Sequence, residues 1–275
     1  MRKLLKWYTG FIFFFLYLPI ALLVFSSFNA STNIAQFGGF TLNPYHELLR
    51  DSGLLGLLLN SIIIALLSAL LATLLGTMAA VGIHAMNAKM RAVIMNVTNI
   101  PMTNPDIVTG VSLALLFAFV GRTLLINNIL GFGTLLIAHI TFNLPFVILS
   151  VMPKLKQLDP NLNEAALDLG CSPFQALRKV IIPDIMPGII SGLLLSFTLS
   201  IDDFVISFFN VGPGLSNLSI EIYSMSKRGV NLSINALSTL MFVTIMLLMI
   251  LINWIPTRGQ HGKKGARVLE ARRQG

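Results

Sequence analysis

Residues 163–187 read N-E-A-A-L-D-L-G-C-S-P-F-Q-A-L-R-K-V-I-I-P-D-I-M-P, a polar, signal-rich island between two long apolar segments. Residues 164–169 are good helix formers, Gly170 is a natural residue for the left-handed turn just past a helix end, and Ser172-Pro173 reads as an N-cap followed by a first-turn proline. The stretch therefore predicts helix, turn, helix. The second helix, over residues 173–182, carries Phe174, Leu177, Val180 and Ile181 at spacings of three and four, with Gln175, Arg178 and Lys179 on the opposite side. Pro183 is expected to end it.

Outside the island the chain is membrane in character. Of its 275 residues 55% are hydrophobic and 11% charged, against about 25% charged in soluble domains. The mean hydropathy is +0.81, and the reading is an all-α polytopic membrane protein. A formal charge of +8 could indicate nucleic acid, but its placement argues for topology instead. The single cysteine, Cys171, excludes an intrachain disulfide and reads as a small structural residue.

In chain order, six transmembrane helices are expected at about residues 8–28, 54–83, 92–120, 134–153, 187–209 and 234–255, since roughly 20 apolar residues cross a bilayer. Residues 7–28 carry no charge; the run exceeds the apolar core of a cleavable signal peptide, the competing reading, so it is taken as a retained first span with Trp7 and Tyr8 at the interface. A short surface helix is expected in the loop holding Tyr45, His46 and Glu47. The third span is broken by Pro101 and Pro105 among Asn99, Asn104 and Asp106, and the fifth is interrupted by Asp202 and Asp203. Broken spans with polar residues point to a permeation path, because irregular backbone in a membrane needs protein or a water-filled cavity around it. His139 and Asn143 lie a helical turn apart in the fourth span, His139 as a packing or hydrogen-bonding residue. Residues 154–186 form the loop that holds the island, and residues 258–275 a basic tail.

Six spans put both termini on one side. The termini and even-numbered loops hold 15 of the 19 Lys and Arg residues, the odd-numbered loops 4. The positive-inside rule then makes both termini, the island and the basic tail cytoplasmic, with the chain multi-pass in the plasma (inner) membrane. No P-loop, metal-ligand cluster or nucleophile triad is legible. The expectation is a non-catalytic subunit that binds no cofactor and no metal, in contact with membrane lipid and not with nucleic acid.

Glu164-Ala165-Ala166, three residues, Gly170, nine residues, Val180, one residue, Ile182-Pro183 is similar to the E-A-A…G…I-x-L-P signature of the membrane subunits of ABC importers. Val180 and Ile182 depart from the commonest Ile and Leu but stay apolar. The resemblance implies the type I ABC importer permease fold, with the island as a coupling helix seated in a groove of an ATP-hydrolysing subunit; Glu164, Ala165, Ala166, Gly170 and Pro183 are its coupling residues. Pro105-Asp106-Ile107-Val108 with Ser112-Leu113, His139-Ile140-Thr141-Phe142, the segment S-F-T-L-S-I-D-D-F-V over residues 196–205, Gly212-Pro213-Gly214, Ile222-Tyr223-Ser224-Met225 and Ile234-Asn235-Ala236-Leu237 together look like the spermidine/putrescine importer permeases, in particular the second of their two membrane subunits. Ser219 and Leu232-Ser233 depart from the Pro and Pro-Glu usual there. This likeness implies import of a polyamine, a second homologous permease, two copies of an ATP-binding subunit using ATP and Mg, and an extracytoplasmic polyamine-binding protein.

Elementary chemistry points to the same cargo. A carboxylate within a span costs about 2.5 to 3.5 kcal/mol on insertion scales, so Asp106, Asp202 and Asp203 call for an interior role. A flexible polycation needs carboxylates along its path and aromatic faces for its ammonium groups; Phe197, Phe204 and Phe208 on one helical stripe are the candidate faces, with packing or lipid contact as the alternative. Adjacent Asp202 and Asp203 would point about 100° apart on a helix, so one faces the path and the other serves structure. Which one is left open. Asp106 could cap or begin a half-helix. The rival readings are a permease for another organic cation, an amino acid, sulfate or an iron complex, and an ion-coupled secondary carrier, which would have no use for the 164–183 loop.

Overall fold

The computed structural model describes residues 2–31, 36–126, 128–159, 161–228, 235–247 and 250. Helices follow one another as α1 (Arg2–Ser26), α2 (Asn43–Arg50), α3 (Ser52–Ala85), α4 (Ala88–Thr103), α5 (Asp106–Thr123), α6 (Phe132–Lys156), α7 (Leu162–Asp168), α8 (Pro173–Ala176), a π-helical turn (Leu177–Ile181), α9 (Ile182–Ile201), α10 (Val205–Asn210), α11 (Leu218–Arg228) and α12 (Asn235–Leu247). Among the described residues no strand is present beyond the isolated bridge from Asn29 to Phe40. Five helical stretches are long and apolar enough to cross a membrane: Lys6–Ser26, Ser52–Ala85, Asp106–Thr123, Phe132–Lys156 and Pro173–Ile201. The sixth expected span is represented by α12 and residue 250, and its other residues, like the basic tail, lie outside the described residues.

The described chain divides into two compact units, residues 1–59 with 220–248, and residues 60–219 with 249–275. In the first, α1 presents Trp7, Phe11, Phe14 and Phe15 outward, which suits a helix whose solvent is hydrocarbon, where apolar exposure carries no cost. The loop after it is held by Ser27, whose Oγ lies 2.7 Å from Tyr45 Oη. Phe28 sits between the rings of Phe40 and Tyr45, at 5.0 and 5.3 Å. Tyr45 belongs to α2, the short helix expected in this loop.

The second unit is organised around α6. Its buried face, with Val147, Ile148, Val151, Met152 and Leu155, packs against Ala72, Ala80 and Ile83 of α3 and Ile185 of α9. The α6–α9 approach is close because Gly188 has no side chain: a Cβ there would stand 2.8 Å from Lys154 Cγ and 3.0 Å from the Ser150 carbonyl. Phe117 of α5, Ala138 and Phe142 of α6 and Ile206 of α10 form a second apolar cluster. Side chains cap the starts of α3 and α4. Asp51 Oδ1 accepts from the backbone of Gly53 and Leu54 at the start of α3, and Asn87 Oδ1 from Met90 in α4.

Three expectations are corrected. Pro101 lies inside α4, so the third segment is not one span broken by two prolines; it is two helices that part only at Asn104-Pro105, with Asp106 opening α5. Pro183 does not end the helix of the island. It lacks the N–H that an α-turn would use, but the chain widens there into a π-turn, in which Ile182 N–H bonds to Leu177 O, and helix runs unbroken from Pro173 to Ile201. Phe174 is not on the packed face: it is 69% exposed, and the fully buried residue of α8 is Ala176.

Candidate functional site

Two regions bring together the residues singled out from the sequence, and both lie in the second unit. In the first, α9 stops at Ile201, Asp202 takes the C-cap position, and α10 begins at Val205. Asp203 is 9% exposed, and its carboxylate accepts from Ile206 N–H at 3.1 Å through Oδ1 and from Ser207 N–H at 2.7 Å through Oδ2. It therefore holds the start of α10, where backbone N–H groups lack helical partners. Asp202 is exposed. Asp106, first residue of α5 and also exposed, lies within electrostatic range of Asp203, and α5 is tied to α10 by Asn210 Nδ2, which donates to Gly110 O at 3.2 Å. The break thus gathers Asp106, Asp202 and Asp203, with two carboxylates on open surface and one built into the backbone.

Because the helix is interrupted, the expected aromatic stripe is interrupted too. Phe197, half-buried, belongs to α9, whereas Phe204 and Phe208 flank and enter α10 with ring centroids 5.3 Å apart. Likewise the 100° argument for Asp202 and Asp203 does not apply, since neither sits inside a helix.

Behind the break lies a buried polar network that sequence reasoning found only in part. His139 Nδ1 is 3.1 Å from Ser200 Oγ and its Nε2 3.0 Å from Ser207 Oγ. Asn143 Nδ2 donates to Ser200 Oγ at 2.7 Å, Asn217 Nδ2 donates to Ser207 Oγ at 2.7 Å, and Ser68 Oγ, 2.9 Å from Ser200 Oγ, donates to Ala65 O. Each hydroxyl has one proton and two lone pairs. Ser68 uses its proton on Ala65, so Ser200 gives its own to Ser68 and accepts from Asn143 and from His139 Nδ1. On the other side of the ring Ser207 accepts from Asn217, and Nε2 stands 3.7 Å from Asp203 Oδ2, so the carboxylate that caps α10 also borders the network. His139 joins α9 to α10 across their gap. Asn143 was visible as a partner one turn from His139; the serines were not, because a lone hydroxyl in an apolar helix carries no signal of what it meets.

The second region is the hairpin of α7 and α8. Gly170 has φ +84°, its N–H bonds to Leu167 O at 2.9 Å, and Cys171 N–H reaches Ala166 O at 3.1 Å. These two bonds close α7 as a Schellman motif, which requires the left-handed residue that glycine supplies. Ser172 and Gln175 bond reciprocally, each side chain accepting from the other's N–H, at 3.3 and 3.0 Å, a capping box with Pro173 in the first turn. Ala166 is buried in this turn, whereas Glu164, Ala165, Leu169 and Phe174 are exposed. Leu169 and Phe174, at 86% and 69%, are large apolar groups on what would otherwise be a polar tip. Pro183 is exposed at the start of α9.

The geometry is that of a multi-pass, all-helical membrane transport subunit: apolar helices, two interruptions marked by acids, and a capped hairpin outside the bundle. Residues 72–258 match the family described as binding-protein-dependent transport system inner membrane component. The chain belongs to that family. It is 39% identical over 239 residues, 87% of this chain and 88% of the relative, to the spermidine/putrescine transport system permease protein PotC of Escherichia coli (strain K12). It is 37% identical over 230 residues, 83% and 82% of the two chains, to the putrescine transport system permease protein PotI of the same strain. Among solved structures, a chain of a bacterial ABC transporter involved in the import of the acidic polysaccharide alginate superposes with TM-score 0.71 at 16% identity, covering 94% of this chain and 96% of that one. A chain of the MetNI methionine ABC transporter in an inward-facing conformation gives 0.59 at 17% identity, over 74% and 94%. The fold is that of the ABC importer permeases.

Proposed function

We propose that this chain is the permease subunit of an ATP-driven polyamine importer, forming half of the translocation path for spermidine or putrescine. The observation that carries the reading is the 39% identity, over 87% of the chain, to a spermidine/putrescine permease. The carboxylates at the helix break supply its chemistry. An incoming polycation meets Asp202 and Asp106 on open surface, the paired rings of Phe204 and Phe208 attract its ammonium groups, and Asp203 keeps α10 in register behind them.

On this reading the α7–α8 hairpin docks in the ATP-hydrolysing partner, with Glu164, Ala165 and Ala166 in the first helix, Gly170 at the turn and Pro183 at the root of α9. Two copies of that partner use ATP with magnesium, a second homologous permease completes the path, and an extracytoplasmic polyamine-binding protein delivers cargo. Both termini are cytoplasmic.

The test is uptake of radiolabelled putrescine and spermidine by cells with and without this chain, partner genes intact. Loss of polyamine uptake on deletion, restored by the chain, is the expected result. Unchanged polyamine uptake together with loss of sulfate, amino-acid or iron uptake would overturn the substrate and leave the permease class standing.

A further inference from the structure

Between the hairpin and the ends of α3 and α6 lies a cavity of about 660 Å³, within the roughly 300–1,000 Å³ of small-molecule sites. Its composition is layered. Leu155, buried, and the half-buried Val81, Leu158, Leu162, Leu177 and Ile181 make an apolar floor, whereas Lys156, Asp159 and Asn163 are exposed on the rim, with His84 between them. Arg91 lies next to His84, donating through Nη2 to His84 O at 2.6 Å and Met86 O at 2.8 Å. Lys156 is the last residue of α6 and Asp159 lies in the turn after it, where its Oδ1 accepts from Asn161 N–H at 2.9 Å and leaves Oδ2 for a ligand; among the described residues no ion pair joins the two. The rim thus offers a cation and an anion that do not neutralise each other, above a floor suited to hydrocarbon, at the membrane-surface end of two candidate spans.

We propose that this cavity is a lipid site that takes the phosphate and primary ammonium of a phosphatidylethanolamine headgroup on its charged rim and the start of an acyl chain along its apolar floor. Lys156, supported by the neighbouring Arg91 charge, faces the phosphate, and Asp159 accepts from the ammonium. The same layout discriminates among lipids. A phosphatidylglycerol phosphate would leave Asp159 facing only hydroxyls and a negative charge, and a choline headgroup has no N–H to give it. The floor separates a lipid from a free headgroup, since soluble phosphoethanolamine leaves Leu158 and Leu162 wet. The inference does not depend on the polyamine reading, only on this end lying at a membrane surface.

The test is photo-cross-linking of the full chain in phosphatidylcholine vesicles doped with a diazirine-bearing phosphatidylethanolamine, followed by peptide mapping. Labelling is expected at residues 155–163 and 177–181, displaced by excess phosphatidylethanolamine and not by phosphatidylglycerol or soluble phosphoethanolamine. Lys156→Glu and Asp159→Lys should each lower it about tenfold, the loss of one charge-assisted hydrogen bond, and Leu158→Trp, which fills the floor without touching the rim charges, should lower it as well. Equal displacement by phosphatidylglycerol would overturn the role of Asp159. Displacement by phosphoethanolamine would replace the lipid with a free headgroup. Labelling no stronger here than along the outer faces of α1 would reduce the site to ordinary lipid contact and refute it.

Discussion

Asp203 receives two backbone N–H groups at the start of α10 while its neighbour Asp202 stands exposed at the end of α9, so the same substitution should have opposite readouts at the two positions. Asp203→Asn keeps one carbonyl oxygen but leaves the other buried N–H without its acceptor, a loss of about 1–3 kcal/mol, and should appear as a lower melting temperature or yield of the purified complex with uptake per complex largely kept. Asp202→Asn and Asp106→Asn should do the reverse, assembling normally and transporting poorly; wild-type polyamine uptake per assembled complex in both would make these acids structural. At Gly170 the residue itself is the constraint. A β-branched side chain at φ +84° is sterically disfavoured, so Gly170→Val should open the hairpin turn and release the ATPase from membranes, and membranes that retain it with full substrate-stimulated hydrolysis would contradict the docking role. Gly170 could be read from sequence because its function is local. The division of labour between Asp202 and Asp203 could not, because it depends on where a helix stops, which neither aspartate announces.

Among the elements, α9 and α10 are separate helices held as one unit by His139, through Ser200 on one side of the gap and Ser207 on the other. His139→Phe keeps approximate volume but removes one hydrogen bond each from Ser200 and Ser207, which keep Asn143 and Asn217, a loss of about 0.5–1.5 kcal/mol per bond. Lower thermal stability in detergent is expected, greater than for His139→Asn, which can still reach one hydroxyl; equal melting temperatures for wild type and both variants would remove the network from the account of stability. Interruption of the fifth segment was legible in the pair of aspartates, and that of the third in Pro105. The continuation of helix past Pro183 was not. A proline after a polar run reads as a stop, and only the widened turn at Leu177–Ile181, which no single residue signals, makes it a passage. The same limit explains Phe174, whose spacing matched the packed stripe of a regular helix although it faces outward in the turn before the wider one.

For the molecule as a whole, hydropathy made the membrane class plain and the placement of Lys and Arg supplied an orientation that can be checked directly. Cys171 is the single thiol and is half-buried in the hairpin, so a membrane-impermeant maleimide should spare it in intact cells and label it after permeabilisation in preparations freed of the ATPase; labelling from outside would reverse the topology. What hydropathy could not supply was the unbroken helix from Pro173 to Ile201. At 1.5 Å per residue that is a rod of about 43 Å, with the turn of the α7–α8 hairpin at one end and Asp202 at the other. Were it pivoted at either end, a tilt of about 5° would carry the far end nearly 4 Å, by the same rise per residue. That is about the width of one methylene chain, so a small swing at the hairpin end is geometrically sufficient to widen or narrow the space beside Asp202.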